Sequence, residues 1–161
     1  VPARGTSTFE LGSEEIELGI GIHGEPGRER VRYMPADEVT ELLALSIIEA
    51  PEYKRRLREW DPDTGASIER EIMDSPFKPG DELLALVNSM GGTPISELYI
   101  VYRKLAEVCR KKEINIMRSL VGAYITSLEM QGCSITLLKM DDEIVKLWDS
   151  PVNTPALRWG I

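Results

Sequence analysis

The chain has 161 residues, of which 42% are hydrophobic, and its formal net charge is −8 at pH 7. This length allows one domain with a sizeable core, and the net-acidic charge disfavours nucleic acid and anionic membrane surfaces as partners. No apolar run approaches the length of a bilayer span, and the two cysteines, Cys109 and Cys133, do not make a disulfide framework. We therefore expect a cytoplasmic protein.

The first eight residues have the composition of a linker, because Gly, Pro, Ser and Thr dominate them. The chain also begins with Val1 rather than with methionine. We interpret residues 1–8 as a linker from a preceding domain and residues 9–161 as a folded domain. On this interpretation, the sequence is part of a longer polypeptide.

Residues 15–22 alternate between apolar and other side chains, which is the period of a strand with one face on a core. The apolar face carries Ile16, Leu18, Ile20 and Ile22. The opposite face carries Gly19, Gly21 and then His23, and a turn at residues 24–27 follows. Glycine in a strand often marks close approach by a ligand or by another backbone. The pattern predicts His23 at a strand end, with its ring exposed above a cleared surface.

His23 is the single histidine of the chain, and two interpretations of it stay open. It is either a functional group at this surface or a structural residue held by hydrogen bonds. A metal site is not expected, since there is no second histidine and the cysteines lack ligand spacing. A serine-histidine-aspartate triad has little support, because no G-x-S-x-G motif is present.

A helix is predicted next, with Asp37 as its N-cap. Its apolar face follows helical spacing, at Val39, Leu42, Leu43, Ser46 and Ile47. Residues 50–51 end it. Residues 52–73 fit either a further helix or a β-hairpin, and the basic run within residues 54–58 is interpreted as a solvated face balanced by neighbouring acids.

Residues 83–88 form a continuous apolar run, as expected for a strand buried on both faces. A glycine loop follows, and Thr93 as N-cap with Pro94 at the first position predicts a helix through about Lys111. The buried face of this helix is predicted at Ile95, Leu98, Tyr99, Tyr102, Leu105, Ala106 and Cys109. A glycine loop before a helix can bind an anion. Without a phosphate-loop motif, a structural turn that lines the site is the favoured interpretation.

Further strands are predicted at residues 114–119 and 122–128, the second pairing as a hairpin with residues 134–138. Asp141 or Asp142 is expected to cap a last short helix, which Pro151 ends, and the apolar tail is expected to dock on the domain. Both cysteines are interpreted as structural. Together these elements predict an α/β domain, with a mixed sheet covered by helices.

Four segments resemble the K subunit of dihydroxyacetone kinase, in order and in spacing. They are G-I-G-I-H-G-E-P-G at residues 19–27, L-V-N-S-M-G-G-T-P-I-S-E-L-Y at 86–99, G-A-Y-I-T-S-L-E-M-Q-G-C-S-I-T-L-L-K at 122–139 and W-D-S-P-V-N-T-P-A-L at 148–157. The resemblance covers the second half of that subunit only. It implies a two-layer domain with a mixed sheet of about six strands, usually in a dimer. It also implies a first domain that supplies a substrate loop and an acid/base histidine and aspartate.

The resemblance assigns catalysis to His23, whose imidazole adds to the carbonyl carbon of dihydroxyacetone and holds it as a hemiaminal. Free imidazole is largely neutral above its pKa of ~6.5 and needs no extra activation. Gly21 and Gly24 are implied to bind the triose beside it. Glycerol has no carbonyl and is not captured. A terminal hydroxyl is then phosphorylated.

No cofactor is expected in this chain. The phosphoryl donor, ATP/ADP with Mg or a phosphotransferase relay, is expected on a nucleotide-binding L subunit or domain, and this chain alone is expected to be inactive. The alternative is a non-catalytic co-activator that binds the triose and contacts a transcription factor.

Overall fold

The computed structural model describes residues 9–21, 23, 25–74, 76–128 and 130–160. The predicted linker at residues 1–8 lies outside this part of the chain. The helices are α1 (Ala36–Ile48), α2 (Ile95–Lys111) and α3 (Asp142–Trp148). The strands are β1 (Glu15–Leu18), β2 (Glu29–Arg32), β3 (Tyr53–Asp61), β4 (Ala66–Asp74), β5 (Glu82–Ser89), β6 (Asn115–Gly122), β7 (Cys133–Lys139), β8 (Val152–Asn153) and β9 (Arg158–Trp159).

The central sheet has the strand order β6-β5-β7. Strand β5 pairs parallel with β6 and antiparallel with β7, so the sheet is mixed. The α2 helix connects β5 to β6. This confirms the predicted α/β class with a mixed sheet. The sheet contains three strands where the resemblance implies about six, and the other described strands form three separate pairs.

The core lies between one face of the sheet and the helices α1 and α2. Leu83, Ala85 and Val87 of β5 have no exposed area and pack with Leu98 and Leu105 of α2. Complete burial of a leucine side chain stabilises a fold by ~1.5–3 kcal/mol. This layer therefore holds the central strand of the sheet in place.

The α1 helix differs from its prediction in both its start and its buried face. It begins at Ala36 after Pro35, and Asp37 lies in the first turn and pairs with Arg103 of α2 instead of capping. Its buried residues are Thr40, Ala44 and Ile48, whereas Leu42 is 42% exposed. The small Ala44 and the compact Thr40 allow α1 to approach the core closely, which leaves the predicted apolar face turned partly outward.

Residues 52–73, for which helix and hairpin were both open, form the antiparallel pair β3–β4 in continuous register. Gly65 in the connecting turn has φ +65°, a left-handed conformation that glycine adopts without strain. The basic run is exposed and forms cross-strand ion pairs, Arg58 with Glu69 and Arg56 with Glu71. The interpretation of a solvated, charge-balanced face is confirmed.

The segment after β6 also differs from its prediction. Strand β6 continues to Gly122, and residues 123–128 form a loop instead of a second strand. Strand β7 accordingly pairs with β5 and not with its neighbour in sequence. The predicted hairpin is wrong because a buried strand far away in sequence offers β7 a longer apolar partner.

The C-terminal elements follow their prediction closely. The Asp141 carboxylate accepts a hydrogen bond from Ile144 N at 2.8 Å and caps α3. Strands β8 and β9 pair after Pro151, and the ring centroids of Trp148 and Trp159 are 5.2 Å apart, so the tail docks as expected. Within the described part of the chain, no helix combines the length and the apolar character needed to cross a membrane.

Candidate functional site

His23 lies in the loop that joins β1 to β2. The two strands pair antiparallel, so residues 19–28 form their connection. The predicted strand through Ile22 is wrong, because β1 ends at Leu18 and Gly19 has φ +72°, which breaks the alternation. His23 is therefore inside a loop and not at a strand end. Ile22 and Gly24 lie outside the described residues.

The base of this loop is closed by hydrogen bonds. Arg28 N donates to Leu18 O at 2.7 Å, and Gly27 N donates to the Glu17 carboxylate at 2.9 Å. The Glu17 side chain is only 6% exposed and accepts from Arg30 Nε at 2.6 Å. Charge-assisted contacts of this kind fix the two strand ends relative to each other. These hydrogen bonds therefore hold together the two ends of the loop that carries His23.

The His23 side chain is 82% exposed, as predicted, and contacts Glu25. His23 Nδ1 is 3.0 Å from Glu25 Oε1, and the His23 backbone N–H donates to Glu25 Oε2 at 3.0 Å. Hydrogen bonds from its own backbone N–H and from His23 lower the pKa of the Glu25 carboxyl. One carboxylate therefore holds both the ring and the backbone of the histidine.

Gly21 makes room for this carboxylate. A Cβ at Gly21 would lie 2.0 Å from Glu25 Oε2 and 2.7 Å from Glu25 Cβ, distances that no side chain can occupy. Gly21 N also donates to Glu25 O at 3.1 Å. Gly19 lies in the same way against Arg28, whose Cδ would be 3.1 Å from an added Cβ. The space that the glycines leave is thus filled by side chains of the loop itself.

Glu25 is the residue that the sequence analysis missed. The signal was present, because a carboxylate two positions after a histidine can reach both the ring and the backbone N–H. The turn at residues 24–27 was predicted from Pro26 and the glycines, and Glu25 was given no role in it. The structure brings His23, Glu25 and Gly21 together.

The glycine loop at residues 89–94 supports the structural interpretation. Gly91 N donates to Ser89 Oγ at 3.1 Å and Gly92 N donates to Met130 O at 2.9 Å, so both donors have partners within the protein. Gly91 has φ +113°, and a Cβ there would lie 2.6 Å from Ser127 O. These contacts leave neither glycine N–H available for an anion.

Thr93 has a different role from the predicted cap. The N-cap position of α2 is Pro94, and Thr93 Oγ1 accepts a hydrogen bond from Gly132 N at 2.8 Å. The predicted buried face of α2 is correct at Leu98, Leu105 and Cys109, but Ile95 and Tyr99 are 50% and 57% exposed. In the first turns of this helix, Leu98 reaches the core whereas Ile95 and Tyr99 face outward.

Neither cysteine has the properties of a nucleophile, and both thiols are free. Burial raises the pKa of Cys109 to about 11 and also raises the pKa of Cys133, so both stay protonated at neutral pH. Within the described residues, no three His, Cys, Asp or Glu side chains come together as a metal site would require. The cysteines are therefore not candidates for a catalytic nucleophile.

Comparison with known proteins gives a consistent result. The Dak1 domain family matches residues 1–156. The "PEP-dependent dihydroxyacetone kinase, dihydroxyacetone-binding subunit DhaK" of Escherichia coli K12 is 47% identical over 160 residues, which are 99% of this chain and 45% of that protein. The human "Triokinase/FMN cyclase" is 35% identical over 152 residues, 94% of this chain and 23% of that protein. The chain thus spans less than half the length of these relatives.

Solved structures share the fold. The "Dihydroxyacetone kinase operon co-activator Dha-DhaQ" aligns with a TM-score of 0.68 at 22% identity, covering 92% of this chain and 39% of that one. The native dihydroxyacetone kinase of C. freundii aligns with a TM-score of 0.54 at 25% identity, covering 85% of this chain and 20% of that one. Both alignments support the mixed α/β architecture.

Proposed function

Because the chain belongs to the Dak1 domain family, we propose that it is the triose-capturing half of the dihydroxyacetone-binding subunit of a dihydroxyacetone kinase. The observation that carries the proposal is the exposed His23 imidazole, held by Glu25 in a loop with a closed base. The 47% identical relative, whose name describes a dihydroxyacetone-binding subunit, supports the choice of ligand.

His23 is the residue that captures the substrate in this proposal. A neutral imidazole nitrogen adds to the carbonyl carbon of dihydroxyacetone, and the triose is held as a hemiaminal. Selectivity follows from the chemistry, because glycerol has the same hydroxyl groups but no electrophilic carbon. Gly21 and Gly24 complete the set of residues proposed to lie against the captured triose. The phosphoryl group is then transferred to a terminal hydroxyl of the triose.

The remaining parts of the kinase are assigned to other polypeptide segments. A preceding domain supplies the acid/base groups, and a nucleotide-binding L subunit or domain supplies the phosphoryl group, from ATP/ADP with Mg or from a phosphotransferase relay. We propose that the subunit is cytoplasmic and forms a homodimer. The chain by itself is then expected to bind no nucleotide and to show no turnover.

Intact-mass spectrometry of the full-length subunit tests the capture. Dihydroxyacetone is expected to add the mass of one triose without loss of water, because a hemiaminal forms by simple addition. Glycerol is expected to add nothing. His23→Ala is expected to lose the adduct and keep its circular dichroism spectrum, since the side chain is exposed. Undiminished adduct in His23→Ala would assign capture to another nucleophile.

The alternative function is a non-catalytic, dihydroxyacetone-binding co-activator, since a co-activator of a dihydroxyacetone kinase operon shares this fold. The two functions separate in one assay, in which the full-length subunit is mixed with a nucleotide-binding subunit and a phosphoryl donor. Formation of dihydroxyacetone phosphate identifies a kinase. Capture of the triose without phosphorylation identifies a co-activator.

A further inference from the structure

The contact between His23 and Glu25 has a direction that follows from the chemistry of its two groups. An ionised carboxylate only accepts hydrogen bonds, so His23 Nδ1, 3.0 Å from Glu25 Oε1, must carry the hydrogen. A neutral imidazole has a single N–H. The lone pair that can attack a carbonyl is therefore on Nε2, for which no partner is seen among the described residues.

We propose that Glu25 is a positioning residue that holds His23 in the Nδ1–H tautomer and presents Nε2 to the carbonyl of the captured triose. This inference rests on the proposed function and deepens it. The family resemblance places a nucleophile at His23, and the geometry adds the side chain that orients it.

Three contacts hold Glu25 in this role. Its Oε2 accepts the backbone N–H of His23 at 3.0 Å, and its carbonyl oxygen accepts Gly21 N–H at 3.1 Å. Its carboxylate also fills the space that the missing Cβ of Gly21 leaves. An imidazole that is 82% exposed would otherwise sample several rotamers and both tautomers. The carboxylate therefore restricts a ring that solvent alone would leave free.

The covalent step balances with Glu25 as the proton acceptor. The Nε2 lone pair forms the new C–N bond, and the π electrons of the carbonyl move onto its oxygen. The ring is now an imidazolium with Nδ1–H, whose positive charge faces the Glu25 carboxylate. Water supplies a proton to the alkoxide oxygen, and the proton on Nδ1 returns to solvent by way of Glu25. No atom is lost, which agrees with simple addition.

The size of the effect is expected to be moderate. Both side chains are exposed, so solvent weakens their electrostatic attraction. Tautomer selection and charge stabilisation act together on the same step, and we expect Glu25→Ala to slow capture on the order of tenfold. Glu25→Gln keeps a carbonyl oxygen that can accept from Nδ1–H but has no charge. It is expected to restore the tautomer and only part of the rate.

Long-range ¹H–¹⁵N correlation spectra of the full-length subunit at about pH 8 read the tautomer directly. The His23 signals are those missing from the spectrum of His23→Ala. Wild type and Glu25→Gln are expected to show the Nδ1–H form, and Glu25→Ala a shift towards Nε2–H. Glu29→Ala is the matched control, because it removes an exposed carboxylate from the neighbouring strand β2.

The rate of capture is measured on the same variants with carbonyl-¹³C dihydroxyacetone, whose labelled carbon changes from trigonal to tetrahedral in the adduct. Glu25→Ala is expected to be slowed and Glu29→Ala is not. Equal tautomer populations in wild type and Glu25→Ala, or equal capture rates, would overturn the role of Glu25. A wild type that captures no triose would instead overturn the proposed function, whatever its tautomer.

Discussion

Asn88 and Ile125 exchange two hydrogen bonds between an amide side chain and a peptide group. Asn88 Nδ2 donates to Ile125 O at 2.7 Å, and Asn88 Oδ1 accepts from Ile125 N at 2.8 Å. The same Oδ1 accepts from Tyr124 N at 2.9 Å, and Nδ2 reaches Ser134 Oγ at 3.2 Å. One side chain at the end of β5, 1% exposed, thus fixes the loop that follows β6 and the start of β7.

Asn88→Leu is expected to destabilise the fold by about 3 kcal/mol. The substitution keeps a similar volume but leaves the backbone N–H groups of Tyr124 and Ile125 without their acceptor. Urea unfolding followed by circular dichroism measures the change. Asn115→Leu, at an exposed position of β6, is the control and is expected to change stability by less than about 0.5 kcal/mol. Equal losses in the two variants would contradict the network.

Gly21→Ala is expected to disturb His23 without unfolding the domain. The added Cβ would lie 2.0 Å from Glu25 Oε2, so the carboxylate must move away from the histidine. The tautomer of His23 is then expected to change as in Glu25→Ala. The double variant with Glu25→Gly gives the decisive comparison, because that substitution removes both the carboxylate and the Cβ that the added methyl group would meet, so Gly21→Ala should then add nothing. Additive effects would mean that Gly21 acts on His23 by another route.

The parts of the fold that could be predicted are those that local signals determine. The buried positions Leu98, Leu105 and Cys109 of α2 follow helical spacing, and the Asp141 cap depends on residues three positions apart. The wrong predictions depend on distant partners. The pairing of β7 with β5 brings together residues about 50 positions apart in sequence, which no local pattern encodes.

The candidate site also combines features that local signals predict with features that they do not. The exposure of His23 was predicted from its place on the same face as Gly19 and Gly21, directly before a turn. The end of β1 at Leu18 was not, because alternation cannot reveal that Gly19 adopts a positive φ. The face of α1 that packs on the core was predicted wrongly because close packing places the small Ala44 at the buried position instead of the larger Leu42. A side-chain pattern is thus overridden by backbone conformation in β1 and by close packing in α1.

Leu105→Ala is expected to cost ~2–5 kcal/mol of stability, because Leu105 has no exposed area and its truncation leaves a cavity in the main core. Leu147→Ala removes the same atoms from a side chain that is 65% exposed and serves as the matched control. We expect the control to change the free energy of unfolding by less than ~1 kcal/mol. A Leu105→Ala value as small as that would place the core elsewhere.

Cys109 gives the fold a dependence on alkaline pH whose sign follows from its burial. The thiol is 1% exposed, and burial raises its pKa from 9.0 to about 11 because the apolar core disfavours the thiolate. The folded protein therefore binds this proton more tightly than the unfolded chain. The stabilisation is fully present below pH 9.0 and is lost progressively as the pH rises to about 11.

Urea unfolding of wild type and Cys109→Val between about pH 8 and about pH 11 measures this contribution. Valine has a similar size and no titrating group, so the comparison cancels the effect of lysines and tyrosines that ionise in the same range. The wild type is expected to lose on the order of 2 kcal/mol more than Cys109→Val across this window. Parallel curves would show that Cys109 is accessible to solvent, and rapid alkylation of its thiol in the native state would accompany them.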